Sequence, residues 1–389
     1  MNNVTNVGVV GTGFIAQGLV KALLSEKDIA VTSILTRRKI DDFVSYPKQE
    51  CLTNSVEELV EKSDIIVECS GDVIYGTDVV NQAFLASIPV ITMNSELQVT
   101  TGSYFADKGY ITEAEGDQPG CLAALHENII QMGFKPLVYG NIKGFLNINP
   151  LREDMEFWRK KNNLSLPMVT SFTDGTKVQI EQVLVANGLG SDILQTGLLG
   201  PKADSVNEGG ELLATLAKNY GSPISDYIIC PSGPAGVFIT AEHQDDQKEA
   251  LRYFKVGEGP YYTLTQNYHL CHLEILKTIR RVINGGKVLL NNSPEPSLSV
   301  GAIAKRNIKP GEKITQGIGS FQVRGEALRI SENKGHIPIG LLQDAIITKP
   351  IELGQFITFD DVEIPNSLAL QAWIETEAKV LEKEPVTRA

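Results

Sequence analysis

The sequence has few of the features that mark secreted, membrane-embedded or nucleic-acid-binding proteins. Its 389 residues include only five cysteines, scattered and never spaced as Cys-x-x-Cys, which predicts a reduced, cytoplasmic protein without disulfides or structural zinc. No stretch is long and apolar enough to span a bilayer. The formal net charge of −12 argues against nucleic acid as a partner. We therefore expect a protein that acts on small molecules in the cytoplasm.

The stretch 6–22 has the order strand, glycine turn, helix. It reads NVGVVGTGFIAQGLVKA, with a valine-rich run before the glycines. Gly11 allows a tight turn and Gly13 lets the backbone approach a pyrophosphate, and the apolar residues from Phe14 and Ile15 onward follow helical spacing. Free amides at the start of that helix would hold the phosphates. The pattern predicts a nicotinamide dinucleotide site, with a flavin site or a plain glycine turn as alternatives.

The second strand, residues 29–36, ends without the acidic residue that usually binds the ribose of NAD. Thr36, Arg37 and Arg38 stand there instead. The planar guanidinium of arginine suits a 2′-phosphate, so we predict NADP rather than NAD. The alternative is a solvated basic pair.

Further strands at 65–69 and 89–93 alternate with helices at 55–62 and 76–86. This alternation predicts a doubly wound parallel sheet of the Rossmann type, in the α/β class. Ligands bind beyond the carboxyl ends of such strands. Four residues at these ends are candidates for the nicotinamide side of the pocket, unless they serve only as turn residues: Ser70, Gly71, Asn94 and Glu96.

An acid-rich loop and a lysine follow two more strands. Glu115 and Asp117 come after the strand that begins near residue 110, and Lys143 ends the strand 138–143. A lysine there can move a proton, or stabilise an alkoxide, at the oxygen of the reacting carbon. The alternatives are acids that favour a helix N-terminus and a surface lysine.

Asp174 and Lys177 are predicted to form the opposite wall of the substrate site. Carboxylates with few histidines suit Mg²⁺ or Mn²⁺ better than zinc, so the acid loop is expected to bind substrate hydroxyls, a divalent cation, or both. His269 and His272 could share a helical face, but a histidine metal site lacks a third ligand and is disfavoured.

After a polar, proline-containing break at 291–298, short strands at close intervals predict a small β-rich module. Lys305, Arg306 and Lys309 are expected on its solvated faces, and residues 368–381 to form a final amphipathic helix. The module is expected to have its own core, to which we assign five apolar residues: Ile303, Ile308, Ile314, Ile346 and Phe356.

The ordered segments EGDQPG at 115–120, GNIKG at 140–144 and TSFTDGTK at 170–177 resemble a known family. They are similar to homoserine-dehydrogenase-like oxidoreductases with a C-terminal SAF domain, the group of the deoxyxylulose-phosphate reductoisomerase-like enzymes. The resemblance implies a Rossmann domain at 1–140, an α+β catalytic and oligomerisation domain at 141–292, an SAF domain at 293–366, and a C-terminal helix and tail at 367–389.

The same resemblance implies an NADP-dependent oxidoreductase, or reductoisomerase, acting on a small hydroxylated or phosphorylated sugar-like substrate. A homoserine-dehydrogenase-type activity is an alternative, although the substrate motifs of those enzymes are missing. A non-catalytic nicotinamide sensor is the other alternative. We expect a homo-oligomer, most simply a dimer.

Overall fold

The computed structural model describes residues 4–383, so the predicted frayed tail at 384–389 lies outside the described residues. The N-terminal part is a six-stranded parallel sheet in the order β3-β2-β1-β4-β5-β6, which confirms the doubly wound prediction. Its strands are valine- and isoleucine-rich because both faces are covered. They are β1 Thr5–Val10, β2 Ile29–Leu35, β3 Leu52–Thr53, β4 Ile65–Glu68, β5 Val90–Thr92 and β6 Ile111–Glu113.

Two of the helices around this sheet, α2 and α3, begin at polar caps. The side chain of Ser55 accepts a hydrogen bond from Glu58 N, and that of Asp72 accepts one from Tyr75 N, as expected for N-cap residues. A π-helical segment, Gln98–Gly102, separates two short helices. The helices are α1 Phe14–Leu23, α2 Val56–Glu61, α3 Val73–Leu85, α4 Ser95–Leu97, α5 Ser103–Ala106 and α6 Gln118–Gln131.

A second, mixed sheet follows in the order β10-β9-β7-β8. Its strands are β7 Lys135–Lys143, β8 Ile224–Ile229, β9 Val237–Glu242 and β10 Tyr261–Gln266. The accompanying helices are α7 Arg152–Asn162, α8 Leu166–Thr173, α9 Thr176–Leu189, α10 Val206–Tyr220, α11 Lys248–Tyr253 and α12 Ile275–Ile283. Helix α9 is central, because its residues from Thr176 to Ala186 are all buried.

The C-terminal part contains two small antiparallel sheets and a helix. One sheet pairs β11 Leu298–Ala304 with β13 Val323–Arg329, and the other has the order β12-β14-β15. The strands of this second small sheet are β12 Lys313–Gln316, β14 Gln343–Ile347 and β15 Val362–Glu363, and the helix is α13 Leu368–Lys383. Among the helices of residues 4–383, none has the length and apolar character needed to cross a bilayer.

The expectation that the C-terminal module has its own core is wrong. Ile308 and Ile314 belong to one large apolar cluster that also contains Val183 of α9 and Trp373 of α13. Ile346, assigned to the core, is 44% exposed. The strands are too short to bury apolar side chains on their own, so α9 supplies the other side of their core.

Candidate active site

The glycine turn after β1 leaves a helix N-terminus open to a ligand. Gly11 has a φ of +106°, and a Cβ there would lie 2.9 Å from the carbonyl oxygen of Cys69, so the turn needs glycine. Gly13 is the N-cap of α1, and no described side chain caps the helix. A Cβ on Gly13 would meet nothing within 4 Å. Phe14 is exposed beside it, whereas Ile15 packs against the Rossmann core.

The two arginines predicted to bind a 2′-phosphate lie in different environments. Arg37 donates to Asp72 Oδ2 at 2.6 Å, and its guanidinium lies 4.4 Å from the ring centre of Tyr75. Arg38 is exposed and makes no ion pair within residues 4–383, while its amide donates to Thr36 Oγ1 at 3.2 Å. Arg38 is therefore the freer cation at this strand end.

Three residues predicted for the nicotinamide side shape the strand ends. The Ser70 amide donates to Glu68 Oε1 at 2.8 Å, and the side chain of buried Asn94 accepts from Leu97 N at 3.1 Å and begins α4. Gly71 has a φ of +68° with open space where a Cβ would be. Burial raises the pKa of Glu68 to about 7. These are the turn and cap roles that the sequence left open.

Lys177, on the first turn of α9, lies among acidic side chains. Its Nζ is 3.3 Å from Glu96, 3.3 Å from Asp117 and 3.4 Å from Ser95 Oγ, and the side chain is 10% exposed. Burial disfavours its charge, but Asp117 and Glu96 outweigh burial and raise the pKa of Lys177 well above its usual value. Lys177 is thus a fixed cation that holds the acid loop against α9.

Glu113 lies next to this group and is fully buried. Burial, reinforced by the charge of Asp117, raises the pKa of Glu113 well above its usual value. The Ser95 hydroxyl lies 3.0 Å from Glu113 Oε1 and 2.9 Å from Asp117 Oδ2, so it can donate to either carboxyl group. Burial also raises the pKa of Asp117, but Lys177 and Ser95 outweigh it, and the net direction is down.

Lys143 lies at the end of β7, beside the next turn of α9. Its Nζ is 3.2 Å from Glu181 Oε2, and the side chain is 18% exposed. Glu181 is 1% exposed and also accepts from Asn141 Nδ2 at 2.7 Å. Burial raises the pKa of Glu181 against the opposing charge of Lys143. In this pair, the buried carboxylate of Glu181 accepts from the ammonium of Lys143, which remains partly exposed to solvent.

Gln118 connects the two lysine groups. With its nitrogen toward the carboxylates, its amide donates to Asp117 Oδ1 at 2.7 Å and to Glu181 Oε1 at 3.2 Å. The amide oxygen then lies 3.3 Å from Nε2 of His269. Burial lowers the pKa of His269, so the neutral ring can donate to that oxygen.

Two predicted wall residues lie outside this network, which corrects the predicted arrangement. Glu115 accepts from Lys277 Nζ at 3.2 Å. Asp174 is fully buried, and its carboxylate binds Lys305 Nζ at 2.9 Å and the Thr176 amide at 2.9 Å. Each carboxylate binds a lysine that is distant in the sequence. A short sequence motif cannot reveal such a pairing.

Five residues of the network were not predicted as site residues: Ser95, Glu113, Gln118, Asn141 and Glu181. The first three lie one or two residues from predicted ones, in the same strand-end loops. Asn141 lies two residues before Lys143, so both side chains point to one face of β7. That spacing was the signal available for Asn141.

The residues present do not fit a divalent cation. The Lys177 ammonium lies among the carboxylates that would have to bind one, and residues 4–383 contain no group of three or more His, Cys, Asp or Glu that could hold a metal ion. The two histidines do not share a helix face: His272 packs edge-on against Phe14 at 5.7 Å, whereas His269 approaches Gln118.

Two family models match consecutive parts of the chain. Residues 11–106 match the NAD-binding domain of homoserine dehydrogenase, and residues 116–275 match the family described as oxidoreductase DRL, catalytic domain. The first covers the glycine turn and the ends of β2, β4 and β5. The second covers Lys143, Lys177 and Glu181. No curated protein matches the chain.

Several solved structures are remotely similar. A probable dehydrogenase from Thermotoga maritima is 13% identical, with 74% of this chain and 91% of that chain covered and a TM-score of 0.45. UDP-N-acetylglucosamine 3-dehydrogenase from Acidithiobacillus ferrooxidans is 9% identical, with 74% and 92% covered and a TM-score of 0.42. Similarities this low carry no argument about what this chain does.

The two family models and the open glycine turn agree on the cofactor class. A nicotinamide-binding domain is followed directly by an oxidoreductase catalytic domain, and the strand ends of the first face a charged network in the second. The chain is an NAD(P)-dependent oxidoreductase.

Proposed function

We propose that the protein is an NADP-dependent oxidoreductase of a small hydroxylated or phosphorylated, sugar-like substrate, with Lys143 at the oxygen of the reacting carbon. The observation that carries this proposal is the difference between the two lysines of the site. An ammonium has three N–H donors. Ser95, Glu96 and Asp117 surround Lys177, so that lysine has little left to offer a substrate.

Lys143 has N–H donors left for a substrate. Among the described residues, Glu181 is its one hydrogen-bond acceptor, and its side chain is the more exposed of the two lysines. Two N–H groups can therefore meet a substrate oxygen. Positive charge there stabilises a developing alkoxide, and the ammonium can deliver the proton that accompanies hydride transfer to a carbonyl carbon, while the neutral amine would take up the proton in the reverse direction. Glu181 orients the lysine without competing for the substrate.

The residues of the Rossmann edge suit the cofactor. The uncapped start of α1 at Gly13 would face the pyrophosphate, and exposed Arg38 would meet a 2′-phosphate. Bound there, NADP would supply or accept the hydride. We propose oxidoreduction without a metal-dependent isomerisation, because Lys177 stands where the acid loop would bind a metal.

The hydrogen-bonding groups near Lys143 support a substrate with several hydroxyls. Gln118 donates to the Glu181 carboxylate that also binds Lys143, and His269 approaches Gln118, so both lie on the Lys143 side of the network and add polar groups there. We also propose that the C-terminal module is an SAF domain and that the protein forms a homo-oligomer. Exposed Phe145 and Phe157 provide apolar surface for such contacts, and the mass of the native protein in solution would test this.

The test is NADPH oxidation with a panel of sugar phosphates, hydroxy-ketones and the aldehyde precursor of homoserine. We expect Lys143→Met to lower kcat by about a hundredfold or more while NADPH binding, followed by its fluorescence, stays unchanged. Lys218→Met is the matched control, because Lys218 pairs with Glu242 at an exposed site on α10. Turnover of Lys143→Met within a few-fold of wild type would refute the role of Lys143. Turnover of the amino-acid aldehyde alone would favour the homoserine-dehydrogenase-type alternative.

A further inference from the structure

Helix α9 has two polar faces that serve different parts of the molecule. Lys177 and Glu181 point into the candidate active site. Between and beside them, Thr176 and Gln179 bind the C-terminal module: Thr176 Oγ1 accepts from the Gly325 amide at 3.0 Å, and Gln179 Oε1 accepts from the Ala327 amide at 2.9 Å. Side chains of the helix thus satisfy two alternate amides of β13.

A buried ion pair joins the same module to the start of α9. Lys305 Nζ lies 2.9 Å from Asp174 Oδ2, and the two side chains are 3% and 0% exposed. Lys305 also donates to the carbonyl oxygen of Ser320 at 2.8 Å, and Asp174 Oδ1 accepts from the Thr176 amide at 2.9 Å. The same carboxylate therefore begins α9 and binds the module. The expectation that Lys305 is solvated is wrong.

The first turn of α9 depends on this connection. Its N-cap is Gly175, which has no side chain to offer the free amides. Lys177 is the second residue of the helix, and first turns without a cap fray. Asp174 replaces the missing cap only while its carboxylate stays in place, and Lys305 is the cation that holds it there.

We propose that Lys305 of the C-terminal module is a positioning residue for the active site, acting through Asp174 to fix the first turn of α9 and with it Lys177. This inference rests on the proposed function, in which Lys177 holds the acid loop. It gives the module a role in organising the site. A lid over the substrate, or an interface between subunits, would not require a buried ion pair at this helix start.

The test measures the position of Lys177 directly. Competitive acylation of the folded protein, analysed by mass spectrometry, gives the reactivity of the Lys177 amine relative to exposed lysines. We expect Lys305→Met to raise this reactivity by about tenfold, because local opening of the turn exposes the amine. We also expect kcat to fall while KM for NADPH is unchanged, since Lys177 bonds to Ser95, Glu96 and Asp117 and not to the glycine turn or Arg38.

Arg329→Met is the matched control. Arg329 also ties the module to the catalytic part, through Asp192 at 3.2 Å and Tyr220 at 3.0 Å, but it does not touch the first turn of α9. We expect this variant to lower Tm without changing the reactivity of Lys177. If Lys305→Met lowers Tm and leaves that reactivity at the level of Arg329→Met, the pair is structural only and the proposal is wrong.

A milder variant covers the case in which Lys305→Met does not fold. Lys305→Gln removes the charge but keeps an amide that can donate to Asp174 or to the carbonyl oxygen of Ser320, so a smaller rise in Lys177 reactivity is expected, and no rise would overturn the proposal. Acylation needs no substrate. Failure of the proposed function, seen as full turnover in Lys143→Met, is therefore distinguishable from failure of this inference.

Discussion

At the scale of single residues, burial at the ends of the parallel strands raises the pKa of two acidic side chains. Glu68 and Glu113 end β4 and β6 inside the molecule, and burial raises the pKa of both. These carboxyl groups therefore bind protons more tightly than exposed ones do. The charge of Lys177 and the hydrogen bond from Ser95 lower the pKa of Asp117 against its own burial. The edge thus combines two carboxyl groups of raised pKa with one buried ion pair.

Glu68 should make stability depend on pH. Its pKa is about 7 in the folded protein and 4.5 as a free side chain, so the folded state binds the proton more tightly. Between these values the free energy of unfolding should fall as pH rises, by about 3 kcal/mol in total. Glu68→Gln removes this loss, because the amide can still accept from Ser70.

Urea unfolding of both proteins near about pH 5 and about pH 8 checks this prediction. The variant should gain stability relative to wild type at the higher pH. Glu61→Gln, on an exposed turn of α2, is the control. If the pH dependence of stability differs from that of wild type no more in Glu68→Gln than in Glu61→Gln, Glu68 is ionised in the folded protein and the prediction is wrong.

Arg38 should determine the preference for NADP. Arg38→Ala is expected to weaken NADP binding by about 1.5–3 kcal/mol, the contribution of a charge-assisted contact, and to leave NAD binding unchanged. Arg37→Ala is the comparison, with a smaller effect, because Asp72 already binds that guanidinium. Titration of each variant with both cofactors measures the difference. Equal losses for NADP and NAD in Arg38→Ala would contradict a 2′-phosphate contact.

The sequence predicts where a side chain lies when a strand end alone decides its position. Asp117, Lys143 and Glu96 follow or end buried strands, and the structure brings them into one network through Lys177 and Gln118. Asp174 could not be placed in the same way. Its partner Lys305 is 131 residues away, and nothing local distinguishes a paired carboxylate from a substrate-binding one.

At the scale of elements, the β1–α1 turn shows two glycines with different physical reasons. Gly11 is required by its own backbone, since a Cβ would press against the Cys69 carbonyl at positive φ. Gly13 is not required by the apo fold, because open space surrounds it. Substitution at the two positions should therefore separate folding from cofactor binding.

We expect Gly13→Ala to leave Tm unchanged and to weaken NADP binding by about tenfold or more, since a methyl group would occupy the approach of the pyrophosphate. Gly11→Ala should instead destabilise the fold by about 1 kcal/mol or more. Thermal unfolding and cofactor titration of both variants provide the measurement. Unimpaired NADP binding by folded Gly13→Ala would show that the phosphates lie elsewhere.

Helix α9 also explains where pattern reading falls short. The sequence pattern predicts a helix only at residues 180–186, although the element spans Thr176–Leu189. A helix buried on every side has no solvent-exposed polar face, so the helical periodicity that identifies amphipathic helices is missing. Its buried polar residues looked like a loop because their partners, β13 and the acid loop, are distant in sequence.

At the scale of the whole molecule, the C-terminal part is integrated with the rest. The close spacing of short strands indicated the β-strands of this part, which are present, but not which elements would cover them. Helices α9 and α13 cover these strands, and residues of both helices belong to the same apolar cluster as residues of the strands. Helix α13 in turn contacts α3, α5 and the π-helical segment of the Rossmann part. The module therefore links both other parts.

This integration predicts one cooperative unfolding transition, tested by Trp373→Ala. Trp373 is 1% exposed, and its truncation should cost about 3–5 kcal/mol. Because the apolar cluster around Trp373 joins the module to α9, we expect calorimetry to show one transition in the variant as in the wild type, at a lower Tm. Addition of NADP should raise the Tm of the variant part of the way back. Ile374→Ala, at an exposed position of the same helix, should leave Tm nearly unchanged. The contradicting result would be two transitions, with only one shifted in Trp373→Ala and the NADP-sensitive one unchanged. The module would then unfold independently of the rest. In that case α9 could depend on the module only through the local Lys305–Asp174 pair.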